Sequence, residues 1–365
     1  MVQSLHVFGQ KANWISNFFC MLLMLSAVNL RAVETFTSAE KAGVLFKVQG
    51  EYLGVIEGWG GNWGAQVIAT SDKTLRVHLL EGGLPGDGFE NREPTRKFSA
   101  TLDAGSEKAT AQDDTVSITV KPETLEIALL DGKLLGRLTK VIRESSTLGA
   151  KPPEGSKVLF GENGDNTFKD GKIAEDGLLS AGCTSSELLG DHALHIEFRT
   201  PFQPSDSGQG RGNSGVYVQG RYEVQVLDSF GLLGENNECG GIYTIATPKL
   251  NMCYPPLSWQ TYDIVFQAAK YTPSGQKMVN ARITVRHNGV LIHDDVELPK
   301  GTPGKDPESD KPGALYLQDH SNPVAFRNIW VNTNPNRAGT PSSDANSNTK
   351  ESRPQPKVSS QSVIE

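Results

Sequence analysis

The sequence is poor in the features that mark several large classes of protein. Its 365 residues hold only four cysteines, with no CxxC pair and no His/Cys cluster at ligand spacing, so no zinc site is predicted. Lys and Arg number 35 against 42 Asp and Glu, which leaves a net charge of −7. A chain with this balance lacks the basic face that nucleic acid or an anionic membrane surface requires. Neither is therefore expected as a partner.

Long apolar runs are confined to the N-terminus. Lys11 precedes the stretch WISNFFCMLLMLSAVNLRA, and the small residue Ala32 closes it before the polar VETFTSAEK. This order is typical of a secretory signal peptide, and the run is short for a membrane span. We expect residues 1–32 to be a signal peptide, with a retained signal anchor as the alternative. The mature chain is then secreted or periplasmic and has no membrane span.

Helical periodicity is also scarce, and period-two alternation replaces it. The 38 glycines and 20 prolines punctuate segments such as DTVSITVKPETLEIALL, SGVYVQGRYEVQVLD and ARITVRHNGVLIHDDVEL. Asn288-Gly289 lies between two β-prone arms, which is the strongest short-range signal for a hairpin. The sequence therefore predicts an all-β protein.

The composition divides the chain into five parts. After the signal come a small β-rich domain at 33–145, a Gly/Pro-containing linker at 146–154, a larger β domain at 155–333 and a polar, disordered tail at 334–365. About 180 residues of short strands with frequent turns favour a jelly-roll sandwich of two antiparallel sheets for the larger domain, with a barrel as the alternative. Cys239 and Cys253 flank a stretch that could fold back as a hairpin, so a disulfide and two separate thiols are both open.

The densest polar pattern is Glu223, Gln225 and Asp228 in GNSGVYVQGRYEVQVLDSFG. On a regular strand Glu223 and Gln225 share one face, and Asp228 points among valines. A one-residue bulge between Gln225 and Asp228 would return Asp228 to the Glu223 face. We predict that the three side chains share one face of a bulged strand within reach of His320. The alternative is a solvated face on which the two carboxylates pair with arginines.

Several other side chains are candidates for substrate contact or catalysis. His320 follows Asp319 at a strand-to-loop junction and is the best-placed histidine for acid–base work, with a turn-capping role as the alternative. Asn213 lies in a glycine-rich stretch that allows close backbone approach and could bind sugar hydroxyls. Tyr217 could stack on a sugar ring, with core packing as the alternative. The remaining candidates for substrate binding are Gln225, Gln318 and Arg327.

Five stretches resemble, in order, the signatures of the 3-keto-disaccharide hydrolase family, formerly a domain of unknown function. They are GNSGVYVQGRYEVQVLDSFG, CGGIYTIATPKLN, WQTYDIVF, ARITVRHNGVLI and LQDHSNPVAFRNIWV. The resemblance covers about residues 155–333 and implies a concanavalin A-like β-sandwich and cleavage of glycosides already oxidised at C3.

A carbonyl at C3 acidifies the C2 proton, so a base can remove it and expel the group at C1, after which water adds. This chemistry suits Glu223 as base, Asp228 or His320 as acid, and Arg327 or Asn213 as donor to the enolate or to a hydroxyl. No cofactor is identified, and a divalent metal stays open because no spacing points to one. The alternative function is a non-catalytic, lectin-like carbohydrate-binding module of the cell envelope.

Overall fold

The computed structural model describes residues 34–334. The predicted signal peptide and almost all of the predicted tail lie outside these residues. Within the described residues, helix is limited to two 3₁₀ turns, Ala39–Lys41 and Gly208–Gly210, and one short α-helix, α1 (Gly43–Val48). Within 34–334, no helix is long and apolar enough to cross a membrane. The prediction of an all-β protein is confirmed.

The first ten strands precede residue 142. They are β1 (Gly50–Ile56), β2 (Asn62–Ala69), β3 (Thr74–Glu81), β4 (Leu84–Pro85), β5 (Gly88–Phe89), β6 (Arg96–Leu102), β7 (Ala109–Gln112), β8 (Val116–Val120), β9 (Thr124–Leu129) and β10 (Leu134–Val141). All except β4 and β5 join in a closed antiparallel barrel in the order β1-β10-β9-β8-β7-β6-β3-β2. Alternation produces its filled interior: in β8, Val116, Ile118 and Val120 are buried, and the intervening residues are partly exposed.

The remaining fourteen strands follow residue 156. They are β11 (Lys157–Phe160), β12 (Phe168–Lys169), β13 (Leu179–Ser180), β14 (Cys183–Leu189), β15 (His192–Arg199), β16 (Ser214–Val218), β17 (Tyr222–Val226), β18 (Gln260–Gln267), β19 (Lys270–Tyr271), β20 (Lys277–Val279), β21 (Ala281–His287), β22 (Val290–Leu298), β23 (Gly313–Leu317) and β24 (Ala325–Asn332).

Twelve of these strands build a sandwich of two sheets, as predicted, and β19 and β20 pair with each other in a separate two-stranded sheet. A seven-stranded sheet has the order β11-β24-β15-β18-β21-β22, with β13 also paired to β24, and a five-stranded sheet has the order β12-β14-β23-β16-β17. The apolar side chains of both sheets meet in one core, which includes Val216, Val224, Ile264 and Phe326. Residues that alternate with these face outward, so each sheet has an outer surface on which polar side chains can gather.

Two local predictions can be compared with the structure. Asn288 and Gly289, both at positive φ, form the predicted two-residue turn between β21 and β22. Cys183, Cys239 and Cys253 are free and buried, so the possible Cys239–Cys253 disulfide is absent from the structure.

The predicted linker is fixed to the sandwich rather than free. Thr147 donates a hydrogen bond to Asp263 (2.7 Å), the Gly149 amide donates to Glu197 (2.6 Å), and the Ala150 carbonyl accepts one from the Trp330 indole (3.1 Å). The polar residues of this segment therefore hold it across the outer face of the seven-stranded sheet. Barrel and sandwich belong to one compact unit.

Candidate functional site

A row of side chains crosses the outer face of the five-stranded sheet. Glu223 on β17 lies opposite Tyr217 on β16, Tyr217 lies opposite Tyr316 on β23, and Tyr316 lies opposite Thr184 on β14. Their neighbours along each strand enter the core, so these four side chains point away from it. We call them the transverse row. Period-two alternation predicts this face for Glu223, and the register of the sheet supplies its neighbours.

Glu223 is the acidic member of the row, and the residue is 3% exposed. Tyr217 Oη donates a hydrogen bond to Glu223 Oε2 (2.8 Å), and no group within residues 34–334 donates to Oε1. Burial raises the pKa of Glu223 to about 7, and the Tyr217 hydrogen bond opposes part of that rise. A carboxyl group that is half ionised near neutral pH is suited to act as a general base.

Gly215 makes room for this carboxyl group. A Cβ atom at Gly215 would lie 2.3 Å from Glu223 Oε1, so the carboxyl group rests over the glycine of the neighbouring strand. This close approach explains why a glycine occurs in the middle of β16, where it otherwise weakens a strand.

A loop between β22 and β23 covers the same pair, and sequence reasoning missed it. We call residues 302–305 the roof segment. Thr302 Oγ1 accepts a hydrogen bond from the Glu223 amide (2.9 Å), and Tyr217 Oη lies 2.9 Å from the Pro303 carbonyl oxygen. Gly304 packs so close to the Tyr217 ring that a Cβ atom would lie 2.4 Å from it. The stretch GTPGK reads only as a polar turn, so no signal in the sequence places it here.

Amide side chains extend the site on the same face. Gln225 Nε2 donates to Asn213 Oδ1 (2.9 Å), and Asn213 Nδ2 donates to the Gln209 carbonyl (2.8 Å). Gln318 Nε2 lies 3.3 Å from Tyr217 Oη. Gln225 Oε1 is buried and accepts no hydrogen bond from the described residues. The structure thus places the predicted residues Asn213, Tyr217, Gln225 and Gln318 on the same face as Glu223; their roles stay predictions.

Asp228 does not join this site, contrary to expectation. Strand β17 ends at Val226, and its ladder with β16 runs without a register shift, so the predicted bulge is absent. Asp228 instead accepts a hydrogen bond from Arg211 Nε (2.6 Å), and Arg211 Nη1 donates to the Ala69 carbonyl of the barrel (2.8 Å). The buried carboxylate is paired with a cation at the junction of barrel and sandwich. The structure therefore gives Asp228 a fixed ionic partner and no contact with Glu223.

His320 lies on the connection between β23 and β24 and is exposed. No group within residues 34–334 forms a hydrogen bond with its ring. It follows Gln318 by two residues, and Asn322, two residues further on, accepts a hydrogen bond from the Asn213 amide (2.6 Å). The loop that carries His320 therefore packs beside the site, and its role as an acid stays a prediction.

Arg327 lies on the wrong sheet for its predicted role. It belongs to β24, and its guanidinium group donates to Glu197 Oε2 (2.7 Å) and covers the Trp259 ring at 4.0 Å. Glu197 belongs to β15 and faces a separate cavity of about 580 Å³ on the outer face of the seven-stranded sheet. Sequence alone could not show which of the two outer faces β24 would supply. Of the two predicted donors, Arg327 and Asn213, only Asn213 lies on the outer face that carries Glu223.

No metal site is visible in the described part of the chain. No group of three or more His, Cys, Asp or Glu side chains between residues 34 and 334 is placed to hold an ion. The carboxylate, phenol and amide groups of the site can still carry out proton transfer and bind hydroxyl groups.

Comparison with known proteins identifies relatives of the chain. The family model described as the 3-keto-alpha-glucoside-1,2-lyase-like domain matches residues 127–332, which begin in β9 of the barrel and include the whole sandwich. Fifteen solved chains match, including three described as a "putative glycosyl hydrolase" from Parabacteroides distasonis ATCC 8503. No curated protein matches.

The first of these structures is 30% identical with a TM-score of 0.45 and covers 49% of this chain and 84% of its own. The second is 19% identical with a TM-score of 0.33 and covers 49% of this chain and 98% of its own. The third is 18% identical with a TM-score of 0.33 and covers 51% of this chain and 92% of its own. The family model spans more than half of the 365 residues, so the chain belongs to the 3-keto-alpha-glucoside-1,2-lyase-like domain family, as its sequence motifs predict.

Proposed function

We propose that this protein is a secreted enzyme that cleaves the glycosidic bond of 3-keto-glycosides, and that Glu223 removes the C2 proton of the substrate. One observation carries the proposal: a buried carboxyl group on the outer face of a sheet, with a pKa raised to about 7 and one oxygen that accepts no hydrogen bond from residues 34–334. The family to which the chain belongs is named for cleavage of 3-keto-glucosides, which agrees with this chemistry.

The reaction proceeds in two stages. Glu223 takes the proton from C2, the electron pair moves toward C3 to form an enolate, and its return breaks the bond between C1 and the glycosidic oxygen. The departing oxygen receives a proton, and a C1–C2 double bond remains conjugated to the C3 carbonyl. Water then adds across that double bond, with its oxygen on C1 and a proton on C2, so that the net result is hydrolysis.

The surrounding side chains take complementary roles in this proposal. Tyr217 fixes Glu223 Oε2 and leaves Oε1 to face C2, while Gln225 and Asn213 bind hydroxyl groups of the sugar. His320 is the remaining candidate for the acid that protonates the leaving oxygen, since Asp228 is held by Arg211. Its exposed position suits a group that exchanges protons with solvent between turnovers.

The direct test is incubation of the purified chain with a 3-keto-disaccharide and with the same disaccharide unoxidised. We expect 3-ketoglucose to be released only from the oxidised substrate. Parallel reactions with a chelator show whether a divalent metal takes part. Release of glucose from the unoxidised sugar at the same rate would contradict the proposal. Binding of sugar without any product would instead support the lectin-like alternative.

A further inference from the structure

The proposed chemistry, on which this inference rests, requires a sugar carbon in contact with the Glu223 carboxyl group, and the structure closes that site. Glu223 is 3% exposed, and Tyr217 and Asn213 are each 1% exposed. A general base must come within about 3 Å of the atom whose proton it removes. A segment that covers Glu223 therefore has to move before the substrate can bind.

Two segments bond to the free edge of β17, which is the last strand of its sheet. The first is residues 239–242. The Gln225 amide donates to the Gly241 carbonyl (2.9 Å), and the Ile242 side chain is fully buried in the core of the sandwich. Moving this segment would expose part of that core, so we exclude it as the movable cover.

The second is the roof segment, which lies along the whole transverse row. Its first three residues contact Glu223 and Tyr217. Lys305 contacts the other two members: its ammonium group lies 4.0 Å from the centre of the Tyr316 ring and donates a hydrogen bond to Thr184 Oγ1. The roof segment thus covers the strip of the outer face that runs from Glu223 to Thr184.

Few interactions hold the roof segment down. The Thr302 amide donates to the Arg221 carbonyl (2.8 Å), and the amide of Asp306, which follows the segment, donates to the Gly220 carbonyl (2.9 Å). Thr302 is buried, and the other three residues of the segment are exposed. A segment with few buried apolar contacts opens locally at a small cost in free energy.

The residues that follow give this movement a fixed end. Glu308 accepts a hydrogen bond from Tyr222 Oη (2.6 Å), and Arg221 Nη1 donates to the Lys311 carbonyl (2.8 Å). The connection is therefore anchored to the sheet from Glu308 onward and by β22 at its start. Only the part between these anchors has to lift.

We propose that the roof segment lies in the place of the substrate, and that it lifts from the transverse row so that the sugar binds there against Glu223. Lifting breaks the contacts of Thr302 and Lys305 and leaves the sheet unchanged. The closed form then competes with the substrate, so the apparent affinity is the intrinsic affinity reduced by the fraction of molecules that are open.

The test weakens the closed form at Gly304. A Cβ atom there would lie 2.4 Å from the Tyr217 ring, and the φ of +155° is one that glycine adopts more readily than alanine. Gly301→Ala is the matched control in the same loop, because its Cβ atom would meet only ordinary contacts at 3.4 Å. On a 3-keto-disaccharide we expect Gly304→Ala to lower KM by about 10-fold with kcat unchanged, and Gly301→Ala to match the wild type.

A second variant leaves the backbone unchanged. Lys305→Met removes the exposed ammonium group from Thr184 and Tyr316. It should lower KM by about 3-fold, again with kcat unchanged.

Hydrogen exchange of the Thr302 and Asp306 amides measures opening without turnover. Both should exchange at least about 10-fold faster in Gly304→Ala than in Gly301→Ala, while exchange of the Gln225 amide is the same in both. Adding the 3-keto-disaccharide to Glu223→Gln, which lacks the base, should also speed exchange of the two roof amides, because bound sugar keeps the roof segment lifted. Slower exchange with sugar would mean that the segment closes over the substrate, and would overturn this inference.

Two further outcomes separate this inference from the proposed function. Faster exchange in Gly304→Ala with the KM of wild type, in an active enzyme, would overturn this inference alone, because the roof segment would open without affecting the substrate. A wild type that cleaves no 3-keto-disaccharide would overturn the proposed function, and with it the place assigned to the substrate.

Discussion

Two buried glutamates lie on opposite outer faces of the sandwich, and their surroundings differ sharply. Glu223 on the five-stranded sheet has one neutral side-chain donor, Tyr217. Glu197 on the seven-stranded sheet accepts hydrogen bonds from the Gly149 amide, Asn328 and Arg327, and lies beside His195. Both residues are almost inaccessible, at 3% and 1% exposed.

Burial acts in the same direction on both carboxyl groups, and their partners decide the outcome. For Glu223, burial dominates and raises the pKa to about 7. For Glu197, burial also raises the pKa, but hydrogen bonds with His195, Asn328, Gly149 and Arg327 outweigh it and lower the pKa to about 2. Glu197 is thus a permanent anion that anchors the segment at 146–154, whereas Glu223 can exchange a proton near neutral pH. Partners, more than burial, separate the reactive carboxyl group from the structural one.

The largest difference between variants of the two glutamates is expected in kcat. Glu223→Gln should lower kcat on a 3-keto-disaccharide by at least about 1,000-fold, because an amide cannot accept the C2 proton. Glu197→Gln should retain activity to within about 10-fold, since its carboxylate is on the other face. Steady-state kinetics with both variants checks the pair, and circular dichroism confirms that each is folded. Equal losses in the two variants would mean that the comparison has no catalytic meaning.

The contributions of Glu223 and Glu197 to the free energy of unfolding should depend on pH in opposite ways. The folded-state pKa of Glu223 lies above its usual 4.5, so the folded protein binds more protons than the unfolded chain between about pH 4.5 and 7, and stability falls as pH rises through that window. Ionising Glu223 then costs about 3 kcal/mol at pH 8. The free energy of unfolding of Glu223→Gln, relative to wild type, should rise by about that amount between pH 4 and pH 8.

Glu197→Gln should show the reverse. Its depressed pKa contributes stability that is present above about pH 4.5 and is lost as pH falls toward 2. Removing the carboxylate at pH 7 should cost about 2–4 kcal/mol, because Arg327 loses its buried partner. Urea unfolding at pH 2.5, 4, 7 and 8 measures both variants. Parallel pH profiles for Glu223→Gln and Glu197→Gln would contradict the assignment.

A smaller effect on kcat is expected from substitution of Gly215, which lies beneath the Glu223 carboxyl group. Gly215→Ala would place a Cβ atom 2.3 Å from Glu223 Oε1 and push the carboxyl group aside. A displacement of this kind should lower kcat by about 100-fold. Gly210→Ala is the matched control, because its Cβ atom would meet only an ordinary contact at 3.7 Å. Equal activity of the two alanine variants would show that the position of the carboxyl group does not matter.

The smallest effect is a shift in the pH profile. The Tyr217 hydrogen bond lowers the pKa of Glu223, so Tyr217→Phe should raise it further. The rising limb of kcat/KM against pH should then move upward by about 1 unit, with little loss of rate above it. Tyr316→Phe serves as the control, since Tyr316 does not bond to Glu223. A downward shift, or the same shift in both variants, would contradict this view of Tyr217.

Much of the fold and part of the site could be predicted from local sequence pattern. Alternation identified the strands and placed Glu223 and Gln225 on one outer face, because side-chain direction in a strand depends only on residue spacing. The prediction that Asp228 shares this face was wrong because the strand ends at Val226. Strand ends depend on tertiary contacts such as the Arg211–Asp228 ion pair.

Long-range placement could not be predicted in the same way. Alternation places the side chains of Arg327 and Glu223 each on an outer face of the sandwich. The order of strands in the two sheets decides that these are opposite faces. Thr302 and Gly304 occur in a Gly/Pro-rich turn about 80 residues after Glu223, and only the folded chain brings that turn onto Glu223 and Tyr217. These residues carry no local signal of their role.

The most direct test of the central claim is the rate at which the C2 hydrogen of a 3-keto-glycoside exchanges with deuterium, followed by NMR from pH 5 to 9. If Glu223 is the base, exchange catalysed by the wild type rises with pH to a plateau with a midpoint near 7, and Glu223→Gln abolishes it. Exchange that persists in Glu223→Gln at the wild-type rate, or that does not change with pH, would contradict the account.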